Sequence, residues 1–494
     1  MTLDFSRLAP ALRPSAPVWI ILAAAVGLLA ATQPLSALFL IFAFSAFFVL
    51  TAITPLAAVI FLLVLAPLRT LIATEAAFQL PLDIGQILFA LLIGAWAANR
   101  IVVEPRRLRF AGTPVSVAII LFLCVTALTA FNAVSIGAWV NEWLKWLQML
   151  VMIVLAFDLA GDSRWHWLVF GLVLSGLANA LVGLYEFFGG SGALHLLIND
   201  RFFRAFGTFG QPNPFGGFMG LLAPIALMSA LGYGARIWQL WRHTRRIPVS
   251  YLFFAFFYAV SAIFLGIGIL ISWSRGAMLA SGVSLLVMAL ALPRRAWRGL
   301  LIAFLVFGLL AALWFAGILP SSIIERISSS TQEFFAFEDM RGVDITPENY
   351  AVVERLAHWQ AALNMAAASP WLGVGFGGYE AAYPEYRLLN WLEPLGHAHN
   401  YYLNILAETG IIGLLVYGKV WLIIMWANWR ARRHPDTHAR LVLIGLLGAW
   451  IYLAVHNFFD NLYVNNMFLH LGLMLGALAI LYNQTWKSTR LASL

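Results

Sequence analysis

Tyr251-Leu-Phe-Phe-Ala-Phe-Phe-Tyr-Ala-Val-Ser-Ala-Ile-Phe-Leu-Gly-Ile-Gly-Ile-Leu-Ile-Ser272 runs for 22 residues without a charged side chain. At a helical rise of about 1.5 Å per residue, such a run crosses the roughly 30 Å hydrocarbon core of a bilayer. Trp273-Ser274-Arg275-Gly276 follows, and then, with almost no loop, a second apolar run over 276–292. This is a helix that crosses a membrane, turns at its edge and crosses back. Lipid offers the backbone no hydrogen-bond partner, so a helix must satisfy it internally. Working outward, similar segments lie near 17–32, 35–51, 54–68, 84–98, 113–131, 139–160, 166–188, 214–233, 299–318, 400–427, 441–458 and 466–483. With the first pair they make fourteen. The segments at 54–68 and 84–98 are short for a crossing and are open to reading as tilted or re-entrant pieces, which gives twelve as the lower count. The expected fold class is all-α, a polytopic transmembrane helical bundle of 12–14 spans with one large, partly helical extracytoplasmic loop. Four regions are expected: N-terminal transmembrane helices over 1–190, an arginine-bearing core over 191–318, the loop over 319–398, and C-terminal transmembrane helices over 399–494.

Composition agrees. Of 494 residues 62% are hydrophobic and 11% charged, against about 25% charged in soluble chains. Mean hydropathy is +0.85. The 20 Trp and 37 Phe suit aromatic belts at the two interfaces. A single cysteine, Cys124, excludes an intrachain disulfide and reads as a buried small hydrophobe. The first apolar run, 17–32, leads straight into another without a small-residue cleavage pattern, so no cleavable signal peptide is expected.

The net charge of +8 is distributed unevenly. With fourteen spans and the N-terminus inside, twenty of the 30 basic residues fall in cytoplasmic segments and eight outside, with Lys145 and Lys419 inside spans. That split follows the positive-inside rule and places both termini in the cytoplasm. The expected outer loop, 319–398, carries ten acids against four Arg. Within it, Pro347 to Ala368 predicts an amphipathic helix with Val352, Leu356, Trp359 and Leu363 on its apolar stripe, ended by Pro370. Gly373-Val-Gly-Phe-Gly-Gly378 matches G-x-G-x-x-G by letter, but it follows a helix instead of a strand and faces away from cytoplasmic cofactors, so it reads as a turn. There is no G-x-x-x-x-G-K-[ST], H-E-x-x-H or C-x-x-C pattern, so no nucleotide is an expected partner, and because the basic residues collect in cytoplasmic loops, nucleic acid is not expected either.

Charged groups at a membrane edge are costly and raise a functional question by default. Arg201 and Arg204 sit in Arg-Phe-Phe-Arg-Ala-Phe-Gly-Thr-Phe-Gly-Gln-Pro-Asn-Pro-Phe, where Gln211 and Asn213 belong to a turn fixed by two prolines. Headgroup contact is the bland alternative for these arginines. Arg275 is held at the expected outer edge, where a positive charge needs an anionic partner. His397-Ala-His399-Asn400 lies where the large loop re-enters the membrane, and histidine is the usual base near neutral pH. The same pair at i, i+2 would suit a metal, but no third ligand is evident nearby in sequence. Asp460 lies at the expected outer end of the thirteenth span. Glu142 and Lys145, at i, i+3, read as a self-neutralising bridge, and Lys419 as a lysine snorkelling to the cytoplasmic interface.

At these residues the chain resembles the O-antigen ligase and polymerase family of bacterial envelope glycosyltransferases. The motif His399-Asn400, nine residues, then Gly410-Ile-Ile-Gly413 resembles the ligase signature His-Asn-x9-Gly-x-x-Gly, within a string that also holds Glu408. Glu354-Arg355-Leu-Ala-His-Trp-Gln-Ala-Ala with Pro370-Trp-Leu-Gly-Val-Gly-Phe-Gly resembles the family's large periplasmic loop. The Arg204 and Ser274-Arg275-Gly276 segments resemble its two arginine-bearing stretches. The likeness spans about residues 200–420. It implies an integral-membrane (GT-C-like) glycosyltransferase fold. It also implies transfer of a glycan from an undecaprenyl-diphosphate carrier to lipid A-core, or to another carrier-linked glycan, at the periplasmic face of the inner membrane, without a metal or other cofactor. Partners would be the lipid-linked donor, a lipid or glycan acceptor, and membrane lipids.

The residue types suit that chemistry on their own terms. Guanidinium groups bind phosphate oxygens bidentately and never lose their charge, so Arg204 and Arg275, with Arg201 beside them, are candidates for the diphosphate and could replace a divalent cation. His399 is the candidate base, His397 secondary, and Asp460 the next in line. Asn400, Gln211, Asn213 and Glu408 are candidate supporting residues. In-line attack opposite the diphosphate would invert the anomeric centre. Polymerase activity is the sister expectation. A lipid-linked oligosaccharide flippase is the rival class, but it needs no large loop ending in His-Asn, and no internal repeat is present.

Overall fold

The computed structural model describes residues 35–75, 80, 82–103, 112–190, 193–198, 201–293, 296–316, 340–346 and 349–492. The expected first span at 17–32, loop residues 319–339 and the Pro347 helix start lie outside these. Helices dominate. They are α1 Leu35–Ile53, α2 Pro55–Leu65, α3 Arg69–Glu75, α4 Ile84–Ala98, α5 Pro114–Leu128, α6 Ile136–Ala160, α7 Trp165–Tyr185 and α8 Pro212–His243. After them come α9 Val249–Ile271, α10 Arg275–Ala291, α11 Ala296–Phe315, α12 Tyr350–Ala368, α13 Tyr379–Tyr386, α14 Tyr401–Ala431, α15 Thr437–His456 and α16 Met467–Ala492. A two-residue hairpin pairs β1 Leu197–Ile198 with β2 Phe202–Phe203. That hairpin has no sequence signal long enough to be read as a strand.

Local chemistry sets the helix starts. The side chains of Asp83, Thr113, Ser135, Ser274 and Asp436 each accept a backbone N–H of the first turn, satisfying donors that have no intrahelical partner. Among the described residues ten helices are long and apolar enough to cross a membrane, and Ile41–Ile53 and Arg275–Ala291 are shorter apolar ones. The protein is a multi-pass membrane protein. The two short segments are lengthened by irregular turns. A 3₁₀ turn at Ala66–Leu68 joins α2 to α3, giving a 20-residue stretch, Pro55–Thr74, and a π-turn at Asn99–Val103 extends α4 into Ile84–Ile101. Both therefore have crossing length.

The centre of the bundle is α8, α15 and α16, with 78, 78 and 83% of their apolar windows buried, against 33% for α9 at the rim. Lipid is as apolar as leucine, so close packing and hydrogen bonds must hold membrane helices together. Gly220 accordingly lies against the Tyr452 ring, and the Tyr452 hydroxyl donates to the Gly216 carbonyl at 3.0 Å. Cys124 is exposed on α5. It was expected inside the protein, but an apolar side chain facing lipid needs no protein neighbour.

The large loop docks on the bundle through α12 and α13. Met340, Val353, Leu356, Ala357, Trp359 and Trp391 form one cluster, and Ala361, Met365, Tyr379 and Tyr383 form another with Ala407 of α14. The buried stripe of α12 therefore differs from the expected one: Leu356 and Trp359 are inside, while Leu363 is exposed at 36%. The stripe faces α14, and Val353 and Ala357 serve it better than Leu363. The glycine-rich turn explains itself here. Val374 N–H donates to Ala407 O at 2.9 Å and Ile411 N–H to Pro370 O at 2.8 Å. At Gly373, with φ +66°, a Cβ would stand 2.3 Å from the carbonyl carbon of Glu408. Glycine is required because loop backbone rests directly on helix backbone.

Candidate active site

Two short turns at one end of the bundle carry the candidate residues. The first is Ala398 to Asn400. Asn400 caps α14, its Oδ1 accepting the N–H groups of Tyr402 at 3.0 Å and Leu403 at 3.2 Å. Asn404 Oδ1 accepts Ala398 N–H at 3.1 Å. These bonds hold His399 at φ +52°, a left-handed conformation costly for a side chain of this type. Trp273, in the second turn, has φ +55°. Strain of this kind marks places that the surrounding structure over-determines, often functional ones.

His397 Nδ1 accepts the His399 N–H at 3.0 Å. A neutral His397 must then carry its proton on Nε2, which lies 3.3 Å from Asp460 Oδ1. That carboxylate oxygen also accepts Asn461 N–H at 2.8 Å. Asp460 reaches the site because Tyr401 N–H donates to Asn457 O at 2.8 Å and the Tyr402 hydroxyl to Ala454 O at 2.7 Å, tying the start of α14 to the end of α15. The His399 ring stands 4.5 Å from that of His397 and 5.8 Å from that of His358. His358 Nδ1 is 3.0 Å from the Tyr379 hydroxyl, which donates to the His358 carbonyl at 3.2 Å.

Burial, then the neighbouring His397 ring, hold His399 at about 3, with Arg355 and His358 adding to the depression and Asp460 opposing it. Burial and His397 bring His358 to about 4. His397 is lowered by burial and, less so, by Arg355 and Lys145, against the pull of Asp460. Burial is the leading cause at His399, and the arginine that adds to it is Arg355. The imidazoles are thus neutral and able to accept a proton or a cation. One atom each from His397, His399 and Asp460 lies within 4.8 Å of the others. The expectation that no third ligand stands near the histidines is corrected: Asp460, some sixty residues on, supplies one through the α14–α15 contact.

The second turn holds the arginines. Ala205 N–H donates to Ile271 O at 3.0 Å and Arg204 Nε to Ser272 O at 3.2 Å, so the segment after β2 sits on the α9–α10 corner. Arg275 opens α10 on that corner, after the Ser274 cap. The two halves touch: a Cβ on Gly276 would stand 2.7 Å from Phe459 Cβ, the residue before Asp460. Arg201 is exposed and lies over the Phe202 ring, 5.0 Å to the centroid. Gln211 is exposed and Asn213 half-buried in the first turn of α8. Glu408 is buried and accepts Tyr379 N–H at 3.3 Å, fastening the loop. Arg355, His358 and Tyr379 join the neighbourhood unforeseen. For Arg355 and His358 the signal was the Glu354-Arg355-x-x-His358 spacing on one helical face.

Residues 260–418 match the O-antigen ligase family. The match takes in Arg275, the loop and both site histidines, and it leaves Arg204 and Asp460 outside. No curated protein matches the chain. The family match supports an enzyme of the glycosyltransferase kind, ligase or polymerase.

Proposed function

We propose that this protein transfers a glycan en bloc from an undecaprenyl-diphosphate carrier to an acceptor hydroxyl, that of lipid A-core or another surface acceptor, as an O-antigen ligase. The carrying observation is the His397–His399–Asp460 trio set against the arginine corner through Phe459 and Gly276. Negative charge grows on the departing diphosphate. Arg204 and Arg275 receive it, and guanidinium, fixed and always charged, is suited to that task. His399 takes the acceptor's proton. His397, locked in one tautomer between the His399 N–H and Asp460, holds the next ring in place and disperses the charge that His399 gains. Attack in line with the leaving diphosphate inverts the anomeric centre. The reaction runs in the bacterial inner membrane, with both termini cytoplasmic and the site at the periplasmic face.

Purified protein incubated with a carrier-linked glycan and lipid A-core is expected to give glycosylated lipid A-core. Lengthened carrier-linked chains in the absence of that acceptor would instead make it a polymerase of the same family. Chelation by EDTA is expected to leave transfer intact. The trio's spacing also favours one second reading, a divalent cation on His397, His399 and Asp460. Loss of transfer on chelation, restored by zinc or manganese, would establish it.

A further inference from the structure

We propose a second lipid site at the opposite end of the bundle, a pocket that takes the phosphate head of a membrane lipid. This goes beyond the transfer reaction and does not rest on it. Glu142 and Lys145, near the histidine turn, lie sixteen and thirteen residues before Asp158 on the same helix, α6, which puts Asp158 about 20–24 Å away along the axis. There a cavity of about 380 Å³ opens between α2, α4, α6 and α7. Its wall is apolar, with Leu56, Ile60 and Leu159, and two indoles, Trp96 and Trp167, flank it. Pockets of this size with apolar walls and a few fixed polar groups are what small amphiphiles occupy.

The polar groups determine the ligand's sign. Asp158 is saturated: it accepts from Trp96 Nε1 at 2.8 Å, from Arg100 Nε at 2.9 Å and from Arg100 Nη2. The remaining guanidinium nitrogen of Arg100, Nη1, is buried and has no hydrogen-bond partner among the described residues. A buried, unsatisfied charged donor is costly, and an oxygen anion relieves it. Arg164 lines the same pocket and is exposed. Arg100 and Asp158 cancel, so among the described lining residues Arg164 leaves a net positive charge. The π-turn at Asn99–Val103 carries Arg100, and such turns recur at functional positions. On the rim, Ile53 is 37% exposed and Trp167 36%, surface suited to a chain that continues into the bilayer. A phosphate head on Arg100 and Arg164, with its first chain carbons between the indoles, satisfies all of these features.

Native mass spectrometry of the full-length protein in detergent tests this, with undecaprenyl phosphate, phosphatidylglycerol, phosphatidylcholine and inorganic phosphate as probes. The two anionic lipids are expected to be retained about tenfold more strongly than phosphatidylcholine, and Arg164→Glu is expected to abolish that margin. Ala57→Trp, which fills the pocket, is expected to do the same. If that variant fails to fold, the exposed Arg164→Glu change decides alone. Preference for undecaprenyl phosphate identifies a polyprenyl source and preference for phosphatidylglycerol the bulk lipid. Displacement of either by inorganic phosphate shows that the head alone is recognised. Equal retention of phosphatidylcholine, or unchanged retention in Arg164→Glu, overturns the proposal. Glycan transfer by Arg164→Glu is expected to be unaltered, so the two proposals fail separately.

Discussion

His399 is held by its neighbours, Asn400 of its own motif among them. Its left-handed backbone depends on the Asn400 cap and on Asn404, and its ring packs beside His397 and His358. Asn400, a candidate for substrate support on motif grounds, is engaged in capping α14. Replacing His399 with Ala is expected to slow the chemical step about 10²–10⁴-fold, the usual worth of a general base, with donor binding nearly intact in a lipid-carrier binding assay. Loss of binding along with turnover would make His399 a structural residue. Arg275→Lys keeps the charge and loses the planar fork, so turnover is expected to fall steeply at normal expression; wild-type rates would remove the diphosphate role. The pH profile carries a sign. A histidine held at about 3 stays neutral where an ordinary one, at about 6.5, would already be half protonated. The value of kcat/KM is therefore expected to stay level from neutral pH down to about pH 5. Stability behaves differently. With folded values depressed for His358 and His399, their stabilising contribution is complete above about 6.5 and is lost as pH falls from there toward 4 and 3. An acid limb in kcat/KM near 6.5 would show water at the ring.

At the scale of elements, the loop and α14 share one backbone interface, and glycine makes it possible. Gly373→Ala is expected to cost about 3 kcal/mol or more, since a methyl group there meets the Glu408 carbonyl carbon at 2.3 Å in addition to the left-handed strain. Gly342, φ +84° with no atom of the described residues within 4 Å of a Cβ placed there, provides the comparison: its Ala variant bears the strain alone, about 1 kcal/mol. Melting temperatures of the two purified variants check this, and equal shifts would mean the loop backbone is not seated on α14. These elements also show what the chain discloses by itself. Apolar runs such as 251–272 announce themselves because a helix in lipid needs length and little else. The His-Asn turn is visible because its parts are adjacent in sequence. The His397–Asp460 pairing is not, since it exists only after α14 and α15 pack. For the same reason the periodicity of α12 put Leu363 on the wrong face: several residues fit a helical stripe, and only the partner surface selects among them.

For the whole molecule, the charge split predicts the orientation in the membrane. A cysteine placed at Asp344, an exposed loop position, in a chain whose Cys124 has been replaced, is expected to react with an impermeant maleimide in intact cells. Reaction only after permeabilisation would invert the bundle and move the candidate active site to the cytoplasm. The family match ends at residue 418, yet Asp460, which faces His397, lies beyond it, so the candidate site draws on more of the chain than the matched segment contains.

The turn after α15 has one more consequence. Phe459 backs the arginine corner and Asp460, its immediate neighbour, faces the histidines. Successive residues cannot be shifted independently. A single inserted amino acid between 457 and 460 would swing both groups out of place together, while an insertion at an exposed loop position such as Gly342 disturbs neither. Over evolutionary drift the length of this turn should be held fixed while the loop lengthens and shortens, and random-insertion mutagenesis would reveal that contrast as a sharp gap in tolerated sites.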